Sequence, residues 1–254
     1  IGAQKSGTTS VAQWLFESGG VCGPRLFDGE PAHYGKEVHF FGKKERYERG
    51  IGFYADIFRH CGEGDDDRKR FVMDATPKYL LYPERVRETY GRAPGDALSE
   101  LKLMVILREP VSRELSLYNH VKRLFLATND TRSWFGEVAV ANGTLMSFDQ
   151  YAENKLMPNI FKEKWRGCPG RYVDHLRRWV DFFGRRRLLV LSHDELLRNP
   201  NKFQWRVEKF LGGKFPGEMP RINTNEGGSA LDTMSNITRS ALALGFAAKN
   251  EELY

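Results

Sequence analysis

No stretch of the 254-residue chain approaches the roughly 20 consecutive apolar residues that a membrane-crossing helix requires, so no membrane span is expected within it. No basic-then-apolar leader opens it either. That second absence excludes little, because the first residues already belong to a loop that ordinarily follows a strand, and both ends read as cut from a longer chain. Cysteine is scarce: Cys22, Cys61 and Cys168 form no short-spaced set of the kind that holds a structural metal. One pair could be bridged with the third thiol free, or all three could be reduced. Internal repeats and low-complexity stretches are missing, which excludes solenoids and arrays. No linker divides the chain, so residues 1–254 are expected to form a single domain.

What is present is ordinary for a globular protein: 41% hydrophobic and 28% charged residues, enough for a well-buried α/β core. The net charge of +6 favours an anionic partner, whether a nucleotide, an acidic polysaccharide or nucleic acid; a mildly basic surface with no specific partner fits it equally. Three N-x-S/T sequons begin at Asn129, Asn142 and Asn236 and lean toward a secretory-pathway glycoprotein.

Strand-like and helix-like segments alternate, the pattern of a mostly parallel sheet covered by helices. Val11, Trp14 and Leu15 follow helical spacing up to Gly19-Gly20. Phe71–Met73 and Leu103–Leu107 are apolar runs short enough to be buried parallel strands. Pro110 suits the first turn of a helix with Val111, Leu115, Tyr118 and Val121 on one face. From Leu126 to Gly170 the pattern is irregular. It resumes with a helix through Leu176, Trp179, Val180 and Phe183, a strand at Leu188–Leu191, and a helix from Pro200 burying Phe203, Val207 and Phe210. Gly212–Ser229 reads as a long loop, and a final helix runs toward Tyr254.

The chemistry starts at Gly2-Ala3-Gln4-Lys5-Ser6-Gly7-Thr8-Thr9, which has the G-x-x-x-x-G spacing of a phosphate-binding loop. Such a loop wraps anionic oxygens in backbone N–H groups and hands them to a helix N-terminus. In nucleotide-hydrolysing versions Lys and then Ser/Thr follow the second glycine, the hydroxyl holding Mg²⁺. Here Thr8 takes the lysine position and the lysine sits inside the loop at Lys5. Metal-assisted γ-phosphoryl transfer thereby loses two standard parts. Transfer of a sulfuryl group needs less: one ammonium and several neutral donors on the departing phosphate oxygen. A second anion signal follows the Leu103–Leu107 run. Arg108 ends the strand, and Ser116, eight residues on, lies two turns into the next helix, where the two could share one phosphate.

Together, Lys5-Ser6-Gly7-Thr8-Thr9 and Arg108-Glu109-Pro110-(x)5-Ser116 resemble the 5′-phosphosulfate and 3′-phosphate loops of sulfotransferases that use 3′-phosphoadenylyl sulfate (PAPS). Lys36-Glu37-Val38-His39-Phe40-Phe41, Gly50-Ile51-Gly52-Phe53-Tyr54, and Gly170-Arg171-Tyr172 with His175, Leu176 and Trp179 resemble elements of the heparan sulfate N- and 3-O-sulfotransferase branch. The resemblance implies a P-loop-like α/β sulfotransferase domain with PAPS as donor, PAP as product and no metal. It also implies a hydroxyl or amine acceptor, on an acidic or neutral carbohydrate rather than nucleic acid. A Golgi-lumen or secretory location follows from it, with a cytoplasmic one left open.

Within the resemblance, Glu37 is the base that takes the acceptor's proton. In an extended segment His39 would point to the same side, so it competes for that role, and Lys36 would shape the acceptor side. Asp74-Ala75-Thr76-Pro77-Lys78-Tyr79 is similar to the family's E-K-T/S-P-x-Y stretch, but the family's lysine falls on Ala75. Lys78 either replaces it, with Asp74, on the acceptor side or is a plain surface lysine. Tyr172 is implied near the donor. Where relatives carry a basic glycine-containing loop, Asn225-Glu226-Gly227-Gly228-Ser229 has no cation, which leaves the N–H groups of Gly227 and Gly228 to contact phosphate. A small-molecule kinase on the same fold and a non-catalytic polyanion-binding domain are the competing readings.

Overall fold

The structure, a computed structural model, describes all residues except 26–34, 63–70, 94, 132, 142–143, 161–169, 221–230 and 254. In chain order the principal elements are α1 (Thr8–Glu17), β1 (Val21–Cys22), α2 (Gly50–Asp56), β2 (Phe71–Val72), α3 (Pro83–Gly91), β3 (Leu103–Leu107) and α4 (Pro110–Thr128). They continue with β4 (Val140–Ala141), β5 (Thr144–Leu145), α5 (Tyr172–Phe183), β6 (Leu188–Ser192), α6 (His193–Arg198), α7 (Pro200–Leu211) and α8 (Asn236–Asn250). The chain divides into two compact units, residues 1–107 with 177–224 and residues 108–176 with 225–254.

The first unit carries the parallel strands. β3 and β6 pair in register from Leu103↔Leu188 to Leu107↔Ser192, and β1 pairs with β2, both parallel. The opening residues add a strand-like segment to β3: Ala3 N donates to Ile106 O and Ile106 N to Gly2 O, each at 2.8 Å. The loop from Gly2 to Thr9 therefore leaves the carboxyl end of a segment paired in parallel with β3, the usual place for a ligand in this architecture. Trp14, Leu15, Ile106, Leu191, Phe203 and Val207 build the core, the helical and strand periodicities meeting from both sides. Trp179 is fully buried, donates its indole N–H to Leu80 O at 3.0 Å and stacks on Phe183.

The second unit is mostly helical. Val111 and Tyr118 of α4 pack with Phe135, Phe148, Tyr151 and Ile160, and with Leu242 and Phe246 of α8. Its strands are the short antiparallel hairpin β4–β5, in the region whose sequence pattern was irregular. Among the described residues it is the one antiparallel pairing; every other is parallel, in agreement with the α/β expectation.

Of these elements, β1, α2, α3, β4, β5 and α6 were absent from the sequence reading. α6 follows β6 directly, capped by the Ser192 hydroxyl accepting from Asp194 N; Ser-His-Asp-Glu carried a capping signal that the strand beside it obscured. β1 has only two residues, too few for any periodicity to register. The three cysteines also resolve in part: Cys22 and Cys61 form a disulfide across 39 positions, and Cys168 lies outside the described residues.

Candidate active site

Lys5 and Gly7 both adopt left-handed backbone, φ 67° and 84°, which curls the loop so that successive N–H groups converge on its concave side. Gly7 is the N-cap of α1, with no side-chain cap and no acidic residue in the first turn. The helix N-terminus therefore keeps its partial positive charge and its donors for an anion. Thr8 and Thr9 are half-buried in that first turn, whereas Ser6 is fully buried. Ser6 thus has its backbone rather than its hydroxyl to offer. A Cβ on Gly7 would lie 2.6 Å from Leu196 Cδ2 and 3.4 Å from His193 Cδ2. Both belong to α6, the helix the sequence reading missed, so His193 is a site neighbour found only in three dimensions. Its signal was its place at the carboxyl end of a parallel strand. Gly7→Ala combines this contact with an unfavourable φ and should destabilise the fold by about 1–2 kcal/mol, a fall in Tm of roughly 2–8 °C. Melting identical to the wild type would show that the loop takes another conformation.

The candidate base sits on a platform assembled from two segments far apart in sequence. Residues 36–41 lie on residues 74–79 through a run of bonds that begins with Ala75 N donating to Lys36 O at 2.9 Å. Val38 N donates to Asp74 Oδ1 at 3.3 Å, His39 N to Thr76 Oγ1 at 3.1 Å and Phe40 N to Tyr79 Oη at 2.7 Å. Asp74 is the hub of this platform. Oδ1 also accepts from Thr76 N and Thr76 Oγ1, and Oδ2 from Tyr54 Oη and Tyr79 Oη. Burial pushes its carboxyl up, against the pull of these donors. Its oxygens are turned to protein groups, which suits a residue that holds the platform in shape. Thr76, Tyr79 and Tyr54 were not singled out in the sequence, although the T-P-x-Y spacing is what aligns the first two.

On this platform Lys36 Nζ lies 2.5 Å from Glu37 Oε1 and His39 Nε2 lies 3.2 Å from Glu37 Oε2. Lys36 is 2% exposed and also donates to Ala75 O, while Glu37 keeps 15% of its side chain and His39 23% in contact with solvent. Burial raises the Glu37 carboxyl, but the hydrogen bond from His39 and the Lys36 ammonium outweigh it and hold the group below the usual glutamate range. The segment is not a plain strand: His39 has φ 56°, and this turn is what brings its ring back onto Glu37. Lys78 is exposed on the turn Pro77–Leu81. A cavity of about 140 Å³ in the same unit has Gly2, Thr8, Asp74, Ala75 and Tyr79 on its otherwise largely apolar wall, but not Lys5, Glu37 or His39.

In the second unit Glu109 caps α4, accepting from Val111 N and Ser112 N at 2.8 and 2.7 Å. Arg108 immediately precedes that cap, and Ser116 follows about 9 Å along the helix axis from Pro110, at 1.5 Å per residue. Tyr172 is buried and donates its hydroxyl to Arg108 O at 2.7 Å; burial, helped by Glu114 and opposed by Arg113, raises its pKa to about 12. Its observable contact is therefore with the Arg108 backbone. Gly227 and Gly228 lie outside the described residues.

The sequence model of the sulfotransferase domain family matches residues 1–240. Among curated proteins, the human bifunctional heparan sulfate N-deacetylase/N-sulfotransferase 3 is 26% identical over 229 residues, covering 89% of this chain and 23% of its own length. The human heparan sulfate glucosamine 3-O-sulfotransferase 3B1 is 28% identical over 216 residues, covering 84% of this chain and 45% of its own length. This chain thus spans less than half of either relative. A solved sulfotransferase from Alicyclobacillus acidocaldarius superposes with a TM-score of 0.65 at 23% identity, over 100% of this chain and 92% of that one, which establishes the shared fold. With the phosphate loop at the carboxyl end of a parallel sheet and a family match spanning nearly its whole length, the chain belongs to the sulfotransferase domain family.

Proposed function

We propose that residues 1–254 are a catalytic domain that transfers the sulfuryl group of PAPS to a carbohydrate hydroxyl or amine, releasing PAP. The observation that carries this reading is a Glu37 carboxylate, ionised by its neighbours and still open to solvent, standing in the same unit as an uncapped helix N-terminus behind a glycine loop. The donor supplies an activated sulfuryl group on a phosphate leaving oxygen. Lys5, Thr8, Thr9 and the first N–H groups of α1 hold that phosphate and stabilise the charge that grows on it. Glu37 accepts the proton of the attacking acceptor. Lys36 keeps Glu37 deprotonated and His39 orients its second oxygen, each through the contacts described above. Arg108 and Ser116 are assigned the 3′-phosphate, with Tyr172 fixing the Arg108 backbone, and Gly227 and Gly228 are assigned backbone contacts to the donor. Asp74 acts from beneath, and Lys78 is assigned to the acceptor's anionic groups.

The names of the relatives favour heparan sulfate-like acceptors, and the net charge of +6 agrees with an acidic one. A secretory location is supported by the Cys22–Cys61 disulfide, a feature of oxidising compartments, and by the exposed sequon residue Asn129. Among the described residues no helix is long and apolar enough to cross a membrane.

A thermal-shift series separates the readings. PAP at about 100 times its Kd should stabilise by roughly 2.7 kcal/mol, a rise in Tm of roughly 5–11 °C. A kinase would respond to ATP with Mg²⁺ instead, and a polyanion-binding domain to heparin alone. No shift with saturating PAP would overturn the proposal.

A further inference from the structure

Away from the candidate active site, Cys22 at the end of β1, His60 and Cys61 bring three metal-binding atoms together, all within 4.8 Å of one another. The imidazole is centred on the sulfurs: Nε2 lies 3.6 Å from Cys22 Sγ and 3.6 Å from Cys61 Sγ. Bonds of about 2.3 Å to sulfur and about 2.0–2.1 Å to imidazole nitrogen, set at a tetrahedral angle, separate those atoms by about 3.6 Å. Both sulfur-to-nitrogen edges of a zinc-type site are thus already present. Cys22 is buried, while His60 and Cys61 are half-buried, so solvent can reach a fourth position. Gly23 O lies 3.7 and 3.6 Å from the two sulfurs and can accept from the thiols when no metal is bound.

We propose that, once the Cys22–Cys61 bond is reduced, Cys22, His60 and Cys61 bind one thiophilic divalent cation of the zinc class, with water as fourth ligand. The disulfide and the metal are alternative occupants of one triad. A trialkylphosphine reductant breaks the S–S bond and takes up oxygen from water to become the phosphine oxide, leaving two thiols. Binding of the cation then forms two metal–sulfur bonds and one metal–nitrogen bond and releases the two thiol protons. Thiolate and imidazole together select zinc or cobalt over magnesium or calcium. His60 Nδ1 is buried with no hydrogen-bond partner among the described residues. Outer-shell support of that kind is worth 10–100-fold in affinity, so binding should be weaker than at a fully buttressed site. The chain is tied together here irrespective of sulfuryl transfer: Met73 N donates to Cys22 O at 2.9 Å, which makes β1 and the segment leading to Asp74 one structural unit.

The test uses the full chain carrying Cys168→Ser, reduced by the phosphine under argon and titrated with Co²⁺ as a spectroscopic stand-in for Zn²⁺. One equivalent should produce a thiolate-to-cobalt charge-transfer band that Zn²⁺ abolishes, while the oxidised protein gives none. His60→Ala should weaken binding by more than 100-fold, and Cys61→Ser should remove the band. Circular dichroism melts establish that each variant is folded. If Cys61→Ser does not fold, the oxidised-against-reduced comparison and His60→Ala decide the matter. The proposal is overturned if the reduced protein shows no band, if the oxidised protein binds equally, or if folded His60→Ala binds as tightly as its parent.

Discussion

Replacing Glu37 by glutamine should lower turnover by roughly 10²–10⁴-fold, the usual contribution of a positioned general base, while leaving the affinity for PAP unchanged. The substitution keeps the side chain's size and its acceptor oxygen, so the platform beneath it survives. What disappears is the proton acceptor, together with the charge that Lys36 balances at 2.5 Å. PAP affinity stays because its phosphates are assigned to the loop and α1. The pH profile adds a second readout. Glu37 lies below the usual glutamate range because the His39 hydrogen bond and the Lys36 ammonium outweigh its burial, and its active form is the deprotonated one. As pH falls, kcat/KM should therefore hold through the ordinary glutamate range, ~4.3, and drop only beneath it. Any folding stability contributed by this depressed carboxyl runs with the same sign, present above the ordinary range and lost as pH falls through the folded value. Near-normal turnover in the glutamine variant, or an acid limb in the imidazole range of ~6.5, would transfer the base role to His39.

Asp74→Ala should destabilise the first unit and disable the site together. The carboxylate serves five donors, and two of them, Val38 N and Thr76 N, are backbone groups that cannot turn to other acceptors. Leaving them unmet costs about 1–3 kcal/mol each, and relief of the buried charge returns part of that. A net loss of about 3 kcal/mol corresponds to a fall in Tm of roughly 6–12 °C. Turnover should fall further than the unfolded fraction explains, because Val38 N and the Phe40 N–Tyr79–Asp74 relay set the path of residues 36–41 on which Glu37 rides. Asp74→Asn retains an acceptor for the two backbone donors and should recover most of the Tm. Calorimetry and kinetics on the pair decide the point. An alanine variant within twofold of wild-type turnover would remove Asp74 from the platform.

Much of this was legible in the amino-acid order because it depends on neighbours in sequence. Leu103–Leu107, Leu188–Leu191 and the helix from Pro110 were readable since a strand or helix face is written in apolar spacing. The loop at Lys5–Thr9 was readable since left-handed turns and a helix start demand glycine and threonine at set positions. The family resemblance drew on the same local strings. It pointed to Asp74 as an acceptor contact, whereas the structure turns both its oxygens to the protein.

The sequence by itself determined the class of fold, and it singled out the loop at Lys5–Thr9 and the carboxylate at Glu37 as candidates, each a property of short segments. Only the tertiary structure decided what surrounds them: that residues 36–41 rest on residues 74–79, that α6 places His193 and Leu196 against Gly7, and that Cys22 meets His60 and Cys61. Those meetings join positions 36 to 39 apart, or nearly 190 in the case of Gly7 and Leu196. Burial of apolar surface elsewhere in the chain brings them together, and no spacing rule along the backbone records it.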